Sequence, residues 1–461
     1  MDSIKYTRSN YAPHSSGISV NVNYSHIAMI SLSNQPLNPA TTKLKVLLPT
    51  PLYGGSLPIA LHVADALTDL GHDCRVLNFE EHYSLFRQFG SLLDGDRGNS
   101  LKARLASILG DFAAEVAISN RVDLVWFTAQ SPVTVDGLRR LRSAGIKTAF
   151  WFVEDIARFE YWRHIVREFD NVFTIQSGAS HEAILRAGAK SVEYLPCAAN
   201  PKVHRPIELL DEELSRFGSI LSFVGAGYPN RQRLFDFLQM PDLKIWGNDW
   251  PESWVNRLQE SGRRVSTEET VKIFCASSVN LNIHSSIGQQ LLENGTFVNP
   301  RTFEIASCGA FQIVDEQMPL KLHFAPDEMT SVRTVPELVA AIELCLKDPE
   351  MRKMMSAAAR RRVLKEHTYA HRMRTAISKI FGPGQIPRTP AMNTIGDLKT
   401  VVFDDEEFLQ FLSQFDDNET ASLAKLMAKV PGRNHKLSRV ELMIMLMNEF
   451  RHWGVEKGVI Q

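Results

Sequence analysis

Long apolar runs are missing from this sequence. The apolar runs are only a few residues long, as at Val46–Leu48 and Ala149–Val153, and this argues against a membrane-spanning helix. The first residues lack the basic-then-apolar order of a secretory signal. Paired cysteines are also missing. Cys74, Cys197, Cys275, Cys308 and Cys345 are far apart with no CxxC, so they read as buried thiols in a reducing compartment, and no metal site is expected. The formal net charge is -1, and no field of one sign points to nucleic acid. No GxGxxG occurs, which disfavours a dinucleotide redox cofactor. The expected location is the cytoplasm, with the inner face of a membrane as a second place.

What is present suits a large globular protein. At 461 residues, one ordinary core is not enough, and two domains plus appendages are the natural expectation. Residues 1–42 are rich in Ser, Asn, Thr and Pro and read as a flexible tail. Ile27-Ala28-Met29-Ile30 is an apolar island within it.

From Lys43 the sequence alternates strands and helices. Leu44–Leu48 reads as a buried strand and is followed by Gly54-Gly55 and a helix that Gly71 ends. This is a doubly wound βαβ unit with glycines in its first turn. Gly54 and Gly55 let the backbone approach a ligand closely, or simply turn the chain. Asp94-Gly95-Asp96 reads as a solvated turn rather than a metal-binding DxD. Leu101–Ser119 reads as an amphipathic helix. Strands are expected at Val122–Phe127, Thr148–Val153 and Val172–Ile175. Glu154 and Asp155 then lie at the C-terminal end of a strand, where open α/β sheets place their sites. A helix N-terminus with favourable acids is the other reading of this pair. Val192–Pro196 runs into a proline-bearing passage near Arg205, the expected boundary between the two domains.

The second half opens with strand Ile220–Val224 and the loop Gly225-Ala226-Gly227, then Arg231 and Arg233 in the first turn of a helix. That arrangement suits a diphosphate. Trp246 and Trp250 border a base pocket or are structural. The stretch Asn280–Asp315 organises this half. Val279–Ile283 alternates apolar and polar residues, as a half-buried strand does. His284 follows it. Asn299-Pro300-Arg301-Thr302-Phe303-Glu304 reads as a helix start with an acid in its first turn. Gly309 stops the helix, and Phe311–Val314 is the next strand. Leu320–Phe324, Val335–Leu346, Asp348–Lys365 and Tyr369–Phe381 continue the alternation. Residues 383–396 read as a linker, and 397–461 as a helical extension. That extension is a small cap, or a docking module for a protein partner or a membrane surface.

Two segments carry a resemblance. Asn-x-Arg-x-Phe-Glu-Ile-Ala-x-Cys-Gly at Asn299–Gly309 and Trp-Phe-Val-Glu-Asp at Trp151–Asp155 resemble the CgeB-like family of GT-B glycosyltransferases. The resemblance covers about Lys43 to Phe381. It implies an α/β fold of two Rossmann-like domains facing a cleft, with the helix Tyr369–Phe381 packing back onto the first domain. It implies an acceptor domain at 43–205 and a donor domain at 206–382. Glu304 matches the glutamate that contacts the donor ribose. Thr296 stands where larger relatives carry a second glutamate, which leaves the donor and the anomeric mechanism open.

The expectation is therefore a glycosyltransferase. A nucleotide-sugar would be its substrate, with no cofactor and no metal. Gly225, Arg231, Asn282, His284, Arg301 and Glu304 would hold the donor. Gly54 and Gly55 would face a glycan, lipid-linked or protein acceptor. Asp155, then Glu154, would be the general base if the reaction inverts. A sugar-nucleotide epimerase and a non-catalytic adaptor of the same shape remain alternatives.

Overall fold

The computed structural model describes residues 43–93, 95–240, 242–286, 288, 290–292, 294–382, 394–402, 405–430 and 437–456. The expected tail, with its Ile27–Ile30 island, and linker residues 383–393 lie outside these. The described chain divides into two compact units, one of which carries both sheets.

The first sheet has six parallel strands in the order β2-β1-β3-β4-β5-β6. They are β1 (Lys45–Pro49), β2 (Asp73–Leu77), β3 (Leu124–Thr128), β4 (Lys147–Phe152), β5 (Asn171–Thr174) and β6 (Val192–Tyr194). The central strands are apolar on both faces because helices cover both, as parallel sheets require. Trp126, Phe127, Phe150, Trp151 and Phe173 are all buried there. The second sheet has five parallel strands in the order β11-β10-β9-β7-β8. These are β7 (Ser219–Val224), β8 (Leu243–Trp246), β9 (Ser277–Asn282), β10 (Gln312–Asp315) and β11 (Thr330–Val332).

The two halves share a seam. Helix Tyr369–Phe381 packs on helix Ser56–Asp69 of the first half. The Arg372 guanidinium donates to the Pro196 and Cys197 carbonyls at 2.9 and 3.1 Å. Phe303 and Val314 belong to the same apolar core as the first sheet. The smaller unit is helical and has its own core of Ile395, Leu398, Phe408, Leu412, Val440 and Ile444. Among the described residues, no helix is long and apolar enough to cross a membrane.

Several expectations change. β9 is not half-buried. It lies between β10 and β7 with helices on both faces, so Asn280 and Asn282 are buried and bond within the protein. Gly95 and Asp96 open helix Gly95–Ser119 rather than forming a turn, and Asp94 lies outside the described residues. Glu154 and Asp155 lie in a loop, since the next helix starts at Trp162. Leu320–Leu322 is a single 3-10 turn. Trp246 is buried structure beside Phe217, and Trp250 packs on Phe223, Phe235 and Trp254.

Candidate active site

The loops after β1, β4 and β5 meet the second half here, and the following contacts are among those that cross between the halves. Gln176 Nε2 donates to Thr296 Oγ1 at 2.8 Å. Arg264 donates to the Gly54 carbonyl at 2.8 Å. The Arg158 guanidinium lies 4.6 Å from the Tyr228 ring centre. His204 Nε2 stands 4.0 Å from Glu304 Oε1.

Helix Pro300–Ser307 presents Arg301 and Glu304. Asn299 caps it, accepting from the Thr302 N–H at 3.1 Å, and Pro300 occupies its first position, as helix starts favour. Glu304 is five residues in, so it sits in the second turn and not the first. Its carboxylate accepts from Arg301 Nη1 at 2.6 Å and is 6% exposed. Burial alone would lift this carboxyl, but Arg301, and then His204, hold it below the usual carboxylate range. A small cleft of about 10 Å³, room for about one water, lies beside Arg301, lined also by Val224, Phe274, Asn282 and Ile305.

Arg231 is buried. Its Nε and Nη2 donate to the Ile283 carbonyl at 3.0 and 2.7 Å, and Nη1 donates to the Ala226 carbonyl at 3.0 Å. Burial lowers its pKa to about 10, which still leaves it charged. It pins the loop after β7 to the end of β9. Gly225 lies in that loop, and a Cβ there would meet Phe223 at 2.9 Å and Arg231 at 3.1 Å. Arg158, Arg231 and Arg301 are close enough for the other two to weaken the charged form of Arg231. Three cations therefore converge where the halves meet.

Asn282 and His284 do not reach toward a ligand in this arrangement. Asn282 Nδ2 donates to Thr302 and Gln312, both at 2.9 Å, and Oδ1 accepts from Asn299 at 2.9 Å. His284 Nε2 accepts from the Asn299 N–H at 2.9 Å, so the proton sits on Nδ1, 2.7 Å from Asp315. Both side chains are spent holding the Asn299 cap, and this corrects the expectation of direct donor contact.

On the first half, Gly54 has φ of 97°, which favours glycine. Gly55 precedes helix Ser56–Asp69. Glu154, not Asp155, lies against this loop. Its Oε1 accepts from Ser56 Oγ at 3.2 Å, and its Oε2 is 3.8 Å from Arg158. Burial lifts the Glu154 carboxyl above its usual range, against Arg158 and Ser56. Asp155 Oδ1 instead accepts from Gln176 Nε2 and from the Ala157 N–H, both at 3.0 Å. Arg158, Gln176 and Tyr228 were not expected in the site. Only the spacing of Glu154 and Arg158, four residues apart, hinted at any of them. Among the described residues, no group of three or more His, Cys, Asp or Glu side chains is placed to hold a metal ion.

Comparison with known proteins begins with residues 231–378, which match a family described as glycosyl transferase-like. The spore protein CgeB of Bacillus subtilis is 25% identical over 194 residues, covering 39% of this chain and 59% of CgeB. The resemblance to CgeB-like glycosyltransferases is borne out. The match spans less than two thirds of CgeB, and it leaves most of this chain unaligned. Sucrose-phosphate synthase of Thermosynechococcus elongatus superposes with a TM-score of 0.51 at 14% identity, over 74% of this chain and 99% of that one. HepE of Anabaena, solved with UDP and glucose, gives 0.50 at 13% identity, over 73% and 99%. These superpositions give the chain the GT-B fold.

Proposed function

We propose that this protein transfers a sugar from a nucleotide-sugar donor to a glycan, lipid-linked or protein acceptor without a bound metal. The convergence of Arg158, Arg231 and Arg301 beside Glu304, where the two halves meet, carries this reading. In the transfer, the bond from the anomeric carbon to the diphosphate oxygen breaks and a bond to the acceptor oxygen forms. Negative charge grows on the leaving diphosphate. Cations fixed in a partly buried site stabilise that charge, the role a divalent ion fills elsewhere. Glu304 would take the ribose hydroxyls. Arg301 would hold both Glu304 and the diphosphate.

For an inverting reaction, Glu154 is the better base. It faces the Gly54-Gly55 loop, and burial favours its protonated form, so it would accept the acceptor proton more readily. Asp155 is held by Gln176 and the Ala157 N–H. Because HepE was solved with UDP and glucose, UDP-glucose is the first donor to try.

A second reading is a binding protein without catalysis. Thr296 favours it, because its hydroxyl is engaged with Gln176 where larger relatives carry a glutamate. Calorimetry with UDP-, GDP-, CMP- and dTDP-sugars, with and without EDTA, tests both readings. Saturable, EDTA-insensitive binding with sugar release or transfer is expected. Binding without turnover, under any acceptor tried, selects the second reading. Binding that EDTA abolishes rejects the metal-free site.

A further inference from the structure

Helix Thr267–Ala276 packs beside helix Pro300–Ser307, which carries Arg301 and Glu304. Phe274, Ile305 and Cys308 share one apolar core. The Arg301 guanidinium lies 5.7 Å from the Phe274 ring centre. The small cleft beside Arg301 is bounded by Phe274 on one helix and by Ile305 on the other. Each helix ends on a cysteine. Cys275 is in the last turn of the first, and Cys308 caps the second.

These two thiols touch. The Cys308 S–H donates to the Cys275 sulfur. Cys275 Sγ also lies 4.0 Å from the Cys308 carbonyl and 3.8 Å from the Arg205 carbonyl. Cys275 is partly exposed, whereas Cys308 is buried. The Cys308 hydrogen bond, and then the Ile207 N–H, hold the Cys275 thiol below its usual range against burial. Burial pushes the Cys74, Cys197 and Cys345 thiols up. Oxidants attack the thiolate, so Cys275 is the thiol that reacts first. An accessible thiolate with a second thiol against it is the arrangement of a reversible redox pair. In a reducing compartment, disulfides are mostly of this transient kind.

The pair also has leverage on the site. The Cys308 N–H donates to the Glu304 carbonyl at 3.0 Å, which places the cysteine one helical turn beyond Glu304. Ser307 Oγ donates to the His204 carbonyl, and the Ser307 carbonyl accepts from Arg360 at 3.0 Å. Cys275 reaches Arg205 on the segment that connects the halves.

We propose that Cys275 and Cys308 are a peroxide-sensitive dithiol whose disulfide narrows the cleft between the two helices. The Cys275 thiolate attacks one oxygen of hydrogen peroxide. The O–O bond breaks, a sulfenic acid forms, and hydroxide leaves and takes up the proton that Cys275 shed. The Cys308 sulfur then attacks the Cys275 sulfur. The S–O bond breaks, the S–S bond forms, and the Cys308 proton leaves with the hydroxide as water. Peroxide is thereby reduced to two waters, and the two thiols supply the two electrons. A small thiol reverses the step by exchange. Disulfide sulfurs stand about 2 Å apart, closer than hydrogen-bonded thiols. The helix ends are drawn together, Phe274 approaches Arg301 and Ile305, and Cys275 loses its hydrogen to the Arg205 carbonyl. Nucleotide binding beside Arg301 weakens as a result. That last consequence rests on the donor-site reading of Arg301 and Glu304; the disulfide does not.

The test treats full-length protein with hydrogen peroxide, caps the remaining thiols and reads the digest by mass spectrometry. A Cys275–Cys308 cross-linked peptide that dithiothreitol removes is expected. Cys345→Ser should keep it and Cys275→Ser should lose it, leaving Cys308 unoxidised. By calorimetry, UDP affinity should fall about tenfold on oxidation and return with dithiothreitol. In Cys275→Ser it should not respond to peroxide. No cross-link in the wild type, or oxidation that runs to sulfinic acid on Cys275 alone, overturns the proposal. A cross-link with equal UDP affinity in both forms overturns the narrowing of the cleft. A cross-link in a protein whose reduced form binds neither UDP nor any sugar nucleotide supports the redox pair and overturns the donor-site reading.

Discussion

Gln176 reaches across the cleft to Thr296, and the same amide nitrogen also donates to Asp155. Its Oε1 accepts from the Ile156 N–H at 2.9 Å. One buried side chain thus ties the loop after β4 to the loop ahead of helix Pro300–Ser307. Residue 296 acts here as a strut between halves, and its hydroxyl is occupied before any ligand arrives. Thr296→Val keeps the shape and removes the acceptor. It should cost about 1 kcal/mol and raise amide exchange in residues 154–158 and 294–298 with little change elsewhere. Unchanged exchange in both segments would show that the strut carries no closure energy.

The Arg301–Glu304 pair predicts an asymmetry between two substitutions. Glu304→Ala leaves a partly buried guanidinium without its carboxylate, and one-sided loss of such a pair costs about 3 kcal/mol or more. Glu304→Gln keeps an acceptor oxygen for Arg301 and should cost less. Both should weaken nucleotide binding if Glu304 holds the ribose, so affinity is to be compared at matched folded fraction. Equal wild-type affinity in Glu304→Gln, with the fold intact by circular dichroism, would remove Glu304 from the donor site.

Gly54 offers a test that needs no ligand. Its φ of 97° penalises any side chain, and a Cβ would press on the Gln130 amide. Gly54→Ala should destabilise the protein by about 1 to 2 kcal/mol in thermal or denaturant unfolding. A substitution at Gly145, which has φ of 75° but open space around it, should cost only the backbone term. The difference between the two measures the crowding of residue 54 against the Gln130 amide.

Much of the frame was legible in the sequence. Asn299, Pro300 and Gly309 mark the ends of their helix by local chemistry, and each acts as expected. Most strands followed from apolar runs, displaced by one or two residues, whereas the short edge strand β11 was not read in advance. The burial of Asn280 and Asn282 was not legible, because alternation looks the same whether the polar face meets water or a helix. Their hydrogen bonds decide it, and the partners are Ser222, Thr302 and Gln312. Nor was Gln176, since its partner lies 120 residues away. Glu154 and Asp155 were legible as a pair but not in order, because only the fold shows which of them meets the Gly54-Gly55 loop.

Acid should loosen the seam between the halves, because buried histidines gather there. His62 on helix Ser56–Asp69 meets His204 on the connecting segment, with ring centroids 5.0 Å apart. Asn200 contacts both His62 and Asp65, and Glu304 and Tyr369 lie on the far side. Burial, and then His204, lower the His62 pKa to about 4. Farther along, burial lowers His323 to about 3, with His367 adding to the shift, and lowers His367 to about 4, with Arg372 adding. A histidine whose folded pKa lies below its unfolded value of about 6.5 is neutral in the fold and binds a proton more readily once unfolded. The stability these histidines contribute is therefore full above pH 6.5 and falls as the pH drops from there through about 4. The loss is on the order of a few kcal/mol for His62 alone. Unfolding temperature measured from pH 8 to pH 4.5 should decline over that window. His62→Gln should flatten the decline while lowering the plateau at neutral pH. A slope in the variant equal to that of the wild type would assign the acid sensitivity to groups other than His62.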